Sequence, residues 1–290
     1  HETTSLAGNN NLARASTDSM YLQIITDLQT AAANLPPNYT GSDIGRATSF
    51  AANALLGKVY LQKGDNASAV TVLRKVVFPG SPYSLLTNYA DIWTPGTKNS
   101  PESIFEIQFL PPLNGCPFWN FFAPPSLNVP GGTRLAASIA CDPGGRPYIK
   151  KFKDPGVAVG NDANTDCPIL RYADAKLLLA EALGETTEAY GQINDVRQRA
   201  NLGPISSATP GTFIEKLMHE RQVELAFECH RWHDLLRMGQ SAAISIMNTN
   251  LAHEFPGNNI SIDAHNLLAP IPNTELQTNT LVKQNPGYSN

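Results

Sequence analysis

Along most of the chain apolar residues recur at three- and four-residue steps, a pattern that predicts helices broken by one long irregular stretch. From Asp18, the residues Tyr21, Ile24, Ile25, Leu28, Ala31, Ala32 and Leu35 make one face of an amphipathic helix, which Pro36-Pro37 stops. After a polar loop to Gly45, ATSFAANALLGKVYLQKG and DNASAVTVLRKVV read as two helices. The first is rich in small residues, and the second gathers Ala69, Val72, Leu73, Val76 and Val77 on one face, with Gly64 as the left-handed turn between them. The arrangement returns from Arg171 as ADAKLLLAEALG and ETTEAYGQINDVRQRANLG, with Ala189, Ile193, Val196 and Ala200 on one face. In each pair the turn glycine (Gly64, Gly184) precedes a packing alanine (Ala69, Ala189) by five residues.

Paired helices with small residues at the crossing and a glycine turn are the grammar of tetratricopeptide repeats. The two copies lie far apart, so this is no simple tandem solenoid. Between them runs a loop-rich insertion from residue 79 to residue 167. Its first part, Ser103 to Phe109, alternates β-branched and aromatic residues and predicts a strand. The following LPPLNGCPFWNFFAPPSLNVPGGTRLAASIACDPGGRPYIKKFKDPG shows neither a helical nor a strand period. It concentrates Phe118, Trp119, Phe121, Phe122 and Tyr148 among Pro, Gly and Asn, and proline-stiffened loops can hold rings towards solvent at low entropic cost. Rings are more often buried than displayed, so each one alone is expected to plug the loop onto the helical core, and the cluster to display at least one. The expected fold is mainly α, with tetratricopeptide-like helix pairs as a scaffold and minor β. It is read as one domain over 1–290: scaffold 18–78, insertion 79–167 as the candidate ligand face, and a C-terminal helical part 168–290. In that last part a short helix and a polar loop fill residues 240–266, Pro270 and Pro272 keep LLAPIP extended, and Asn273 or Thr274 opens a final short helix.

The densest chemistry lies in Thr212 to Gly239, TFIEKLMHERQVELAFECHRWHDLLRMG. Thr212 and Glu215 form a capping box. Beyond it Phe213, Leu217, Glu220, Arg221, Glu224, Phe227, Glu228 and Arg231 keep helical spacing, so charges share a stripe with apolar residues. A buried charge stripped of its partner costs about 3–5 kcal/mol. Glu220, Arg221, Glu224, Glu228 and Arg231 are therefore expected to form an internal ion-pair network that pins the helix and carries no chemistry. His219-Glu220 begins like HExxH, but Val223 stands where the second histidine belongs. Cys229, His230 and His233 lack a second Cys/His group at matching spacing, and DANTD lacks the later glycine and carboxylate of a calcium loop. No catalytic residue, metal or cofactor is expected.

Composition narrows the function classes. A 290-residue chain that is 42% hydrophobic and 16% charged buries a large core. A net charge of −4, a pI near 5.9 and the absence of a basic run argue against nucleic-acid binding. No apolar stretch approaches the roughly 18–20 residues of a membrane helix. The chain opens with His1 and shows no signal peptide, so its natural N-terminus is expected to lie upstream. Cys116, Cys141, Cys167 and Cys229 show no CxxC pairing. A Cys141–Cys167 bridge could close a surface loop in an oxidising compartment, although sequence cannot give connectivity.

Several separated segments together resemble the SusD-like (RagB/SusD) nutrient-binding outer-membrane lipoproteins of Bacteroidetes. They are YLQIITDLQTAAANLP, RATSFAANALLGKVYLQKGD, SPESIFEIQF, PILRYADAKLLLAEAL, INDVRQRANL, HERQVELAFECHRWHDLLRMG and LLAPIPNTELQTNTLVKQNPGY. The resemblance implies a surface-exposed helical scaffold, a SusC-like TonB-dependent transporter as partner, a glycan or peptide-type nutrient as ligand, and a lipid anchor on an N-terminal region absent from this chain. Family members are longer, and they usually carry glycine where Cys229 stands. The matched motifs are architectural, so ligand contacts must be argued from the loops: Trp119, Phe118 and Tyr148 as stacking platforms, with Asn114, Asn120, Asp142 and Arg146 as polar partners. The expected function is non-catalytic capture of an oligosaccharide for transport. The rivals are a glycoside hydrolase, which needs two carboxylates flanking one bond, and an intracellular tetratricopeptide scaffold binding peptides.

Overall fold

The computed structural model describes residues 12–109, 133–141, 147–152, 154 and 164–289. Those residues are mainly helical, and they group into two compact units, one of Ile25–Trp232 and one of the N-terminal segment to Ile24 with His233–Asn290. The expected breaks at 78/79 and 167/168 both fall inside the larger unit.

The first element, α1 (Thr17–Asn34), buries no residue fully, and its Ile25 and Leu28 rest against the first core. Next comes α2 (Ser49–Lys63), capped by the Thr48 side chain, which accepts from Ala51 N. It ends at Gly64, whose φ of 83° closes the last turn, and α3 (Asn66–Leu73) follows, capped by Asp65. The crossing is tight: a Cβ on Gly57 would stand 2.4 Å from Leu73 Cγ. The second pair repeats the plan as α5 (Tyr172–Leu183) and α6 (Thr187–Arg199), with Gly184 at φ 64°. Ala69 and Ala189, the two predicted packing alanines, are both fully buried. One core joins α2, α3 and α5 through Leu56, Leu73, Leu178 and Leu179, and a second joins α5 and α6 to α7 (Phe213–Glu224) through Leu177, Ile193, Phe213 and Leu217.

The strand expected at 103–109 is β1 (Ser103–Ile107), and it pairs antiparallel with β4 (Cys167–Arg171). The insertion is more regular than its pattern suggests. Between the two strands lie α4 (Thr133–Ser138) and an antiparallel hairpin, β2 (Ile139–Cys141) with β3 (Pro147–Ile149). Elements of three to six residues are too short to show a period. Ala137, Ile149 and Phe152 join Tyr89 and Trp93 in a third core of their own. Cys141 is exposed and Cys167 buried, and no bond joins the two thiols, so the surface-loop bridge is absent here.

One helix differs from expectation. The capping box of Thr212 and Glu215 is present, but α7 stops at Glu224 and helix resumes only at α8 (Arg231–Arg237). Between them Phe227 and Cys229 adopt φ values of 69° and 62°, the left-handed region where side chains other than glycine are strained.

In the smaller unit α9 (Gln240–Glu254) and α10 (Asn273–Thr278) are joined by chain that carries a 3-10 turn at Ala264–Leu267 and is held through side-chain amides. Gln284 both donates to and accepts from the Ile271 backbone, Asn285 Nδ2 donates to Ala269 O at 2.7 Å, and Arg14 donates to Asn285 Oδ1 at 2.7 Å.

Candidate functional site

The charged stripe of α7 faces inward and meets charges from four other places in the chain. Glu220 and Glu224 lie one turn apart, at 1% and 0% exposure. Arg134 from α4 donates to Glu220 Oε1 at 2.6 Å and to Glu224 Oε2 at 3.1 Å. Arg171, at the junction of β4 and α5, grips Glu228 with two parallel bonds of 2.7 and 2.8 Å. Its remaining nitrogen reaches Glu102 at 2.7 Å and Glu224 at 3.0 Å. Arg199 from α6 bridges Glu102 and Glu224 at 2.9 and 2.5 Å, and Arg197 holds Glu220 at 2.9 Å. Lys151 is fully buried. It donates to Glu228 at 2.8 Å and sits 4.7 Å from the centroid of the Trp93 ring. Planar guanidiniums that each satisfy two carboxylates are the arrangement a dry ion-pair cluster requires.

The electrostatics follow from that geometry. Burial pushes the Glu224 carboxyl up, but Arg199, Arg171 and Arg134 outweigh it and hold it at about 2. Glu228 is lowered on the same balance, burial against Arg171 and Lys151. Glu102 goes the other way, because burial exceeds the pull of its two arginines. Lys151, buried between rings, falls to about 8. A second knot lies beside this one. Asp174 is bonded to Arg221 at 2.9 Å, with Lys58 at 3.8 Å and His230 at 3.9 Å. Burial opposes its charge, yet His230, Lys58 and Arg221 hold its carboxyl well below the usual range.

Of the five residues expected in one network, Glu220, Glu224 and Glu228 share it, whereas Arg221 belongs to the Asp174 knot. Arg231 donates to the Met218 carbonyl at 3.4 Å from the start of α8. Nothing in the local pattern marks Glu102, Arg134, Lys151, Arg171, Asp174 or Arg199 as their partners. The available signal was a charge embedded in an otherwise apolar run, as in PILRYADAK. Since these carboxylates are sealed from solvent and paired with arginines and a lysine, they offer no opening to a substrate. Among the described residues no group of three or more His, Cys, Asp or Glu side chains could hold a metal.

Of the candidate ligand residues, Phe118, Trp119, Asn114, Asn120, Asp142 and Arg146 lie outside the described residues. Tyr148 is half-buried in β3, opposite Ala140 of β2. Arg134 and Lys151 flank that hairpin in sequence, so the insertion is clamped to the scaffold by the ion-pair cluster itself.

Residues 130–288, more than half of the chain, match the SusD family. The chain belongs to the SusD family. A SusD-like protein P25 of Formosa agariphila is 25% identical over 96% of this chain and 66% of its own length. A SusD-like protein of Bacteroides ovatus is 28% identical over 76% of this chain and 50% of its own. The chain thus spans two thirds or less of the length of these curated relatives. Among solved structures, a laminarin binding SusD-like protein superposes with a TM-score of 0.78 at 27% identity, covering 98% of this chain and 72% of that one. The surface glycan-binding protein A of Bacteroides thetaiotaomicron in complex with laminarihexaose shares the fold, with a TM-score of 0.75 at 20% identity over 94% of this chain and 72% of that one.

Proposed function

We propose that this SusD-family protein is a non-catalytic binding protein on the cell surface, which captures an oligosaccharide and passes it to a SusC-like TonB-dependent transporter in the outer membrane. The longer protein is held there by an N-terminal lipid anchor. The observation that carries the reading is the likeness, along almost the whole chain, to a laminarin binding SusD-like structure. The sealed state of the acidic cluster supports binding over hydrolysis. Sugars present apolar C–H faces to aromatic rings and hydroxyls to amides, carboxylates and guanidiniums. Trp119, Phe118 and Tyr148 act as platforms in the insertion, with Asn114, Asn120, Asp142 and Arg146 as the polar contacts.

A panel of soluble glycans that includes laminarin, run in affinity gels and followed by calorimetry, tests this. At least one glycan binds, and Trp119→Ala and Tyr148→Ala each weaken it by about 1 kcal/mol or more, roughly fivefold. Unchanged affinity in both variants overturns the placement, and release of reducing ends by the pure protein overturns the non-catalytic reading.

A further inference from the structure

A cavity of about 410 Å³ opens between the loop from Pro37 to Thr48, the Pro82-Tyr83 corner and the edge of β1. The volume falls within the roughly 300–1,000 Å³ of small-molecule sites. Its walls are fixed. The Tyr83 ring packs edge-on against Phe50 at 5.5 Å and stacks on Tyr172 at 6.5 Å. On the other side Asn99, held at φ 52°, donates its N–H to Glu106 at 2.5 Å and accepts from Gln108 at 2.8 Å. Gly45 lets the loop approach that side, since a Cβ there would overlap the Gln108 amide. Against these fixed walls stands Tyr39, half-buried and lining the cavity, with no hydrogen bond or ring contact among the described residues.

Two charged side chains, Arg46 and Glu106, line the cavity. Arg46 is paired with Asp43 at 3.0 Å, and Glu106 is buried on the Asn99 N–H. Apart from these the cavity presents a ring, hydroxyls and amides (Asn38, Asn99). A ring face with amide donors and acceptors beside it suits a neutral polyol. We infer that this cavity is a second saccharide site, separate from the aromatic insertion, in which Tyr39 stacks on a short neutral sugar and Asn99 hydrogen-bonds its hydroxyls. The inference rests on the saccharide-binding reading above but not on its placement at Trp119.

The test is saturation-transfer NMR titration of the full chain with laminaribiose, cellobiose, maltose and mannobiose. Wild type is compared with Tyr39→Ala, Tyr39→Phe, Asn99→Gly and Trp119→Ala, each checked for native circular dichroism. Glycine suits the left-handed backbone at position 99, so that variant removes the amide without straining the turn. At least one disaccharide binds wild type. Tyr39→Ala and Asn99→Gly each weaken it about fivefold or more, both in the wild-type chain and when combined with Trp119→Ala, and Tyr39→Phe keeps the ring and most of the affinity. Absence of binding by all four sugars overturns the second site, as does affinity within about twofold of wild type in both Tyr39→Ala and Asn99→Gly. Binding lost in Trp119→Ala but kept in Tyr39→Ala overturns it while leaving the insertion site standing. Binding kept in Trp119→Ala but lost in Tyr39→Ala supports it whatever becomes of the insertion.

Discussion

Replacing Arg171 by Met removes the side chain that touches three of the four carboxylates in the main cluster while roughly keeping its volume. Arg171 is 2% exposed and bonds the Glu228 carboxylate twice, the Glu102 and Glu224 carboxylates once each, and the Glu224 carbonyl once. Glu102 and Glu224 retain Arg199, and Glu224 also retains Arg134, so neither is stranded. Glu228 keeps only Lys151 among the ion pairs described, and loses its bidentate partner. Removing one member of a buried pair costs about 3–5 kcal/mol, most of it the desolvation of the charge left behind. Because Lys151 remains, the lower end of that range is expected, about 3 kcal/mol of a total near 5–15. The matched control is Arg197→Met, whose side chain is 18% exposed and makes one 2.9 Å ion pair, so its loss is expected near 1 kcal/mol. Urea titrations followed by far-ultraviolet circular dichroism, with slopes compared to check that unfolding stays two-state, give both values. The reasoning fails if Arg171→Met lies within about 0.5 kcal/mol of wild type, or costs no more than Arg197→Met. The loss does not measure what the cluster contributes over an apolar core, since wholesale replacement of such pairs is often neutral or better.

Three further outcomes follow from particular contacts. Gly57→Ala gains up to about 1 kcal/mol of helix propensity but drives a methyl into Leu73, where overpacking costs about 1–3 kcal/mol, so a net loss of stability is expected, and a gain in urea midpoint contradicts the crossing described. Cys229→Gly relieves a left-handed residue worth about 1–2 kcal/mol and concedes about 0.5–1 in unfolded-chain entropy, so it stabilises by up to about 1.5 kcal/mol, and destabilisation would show that the thiol makes a contact of value. Glu224, at about 2 folded against an ordinary 4.5, contributes on the order of 3 kcal/mol that is present above about pH 4.5 and lost as pH falls towards 2. Glu228, Asp174 and His230, also lowered, act in the same direction, whereas Glu102 and Glu106, raised by burial, act against it. The net expectation is a urea midpoint that falls steadily below about pH 5, and a flat profile to pH 2 refutes it.

Features governed by a single helix or turn were legible in the sequence. The turn glycines Gly64 and Gly184, the alanines five residues on, and the Thr212–Glu215 box are local in cause, and the structure has them as read. The inward stripe of α7 was legible too, because Glu220 and Glu224, one turn apart, share a face with Phe213 and Leu217. Their partners were not, because Arg134 and Lys151 sit 86 and 77 residues before the glutamates they hold, and nothing local says that a lone basic side chain is buried. The end of α7 escaped for a different reason. Phe227 and Cys229 carry no turn signature, and only the family habit of glycine at 229 hinted at positive φ. β4 is CPILR, five residues whose pairing to β1 is set by a partner sixty or more residues away. Six of the seven candidate ligand residues lie outside the described residues, so their chemistry still rests on composition.

The central claim is that the buried charges hold the scaffold together and that recognition happens elsewhere. The most direct test is the calorimetric Kd of folded Glu224→Gln protein for whichever panel glycan binds wild type best. The account predicts a Kd within about twofold of wild type in a protein whose unfolding free energy has dropped by about 3 kcal/mol. A Kd raised tenfold or more in a protein of undiminished stability contradicts it.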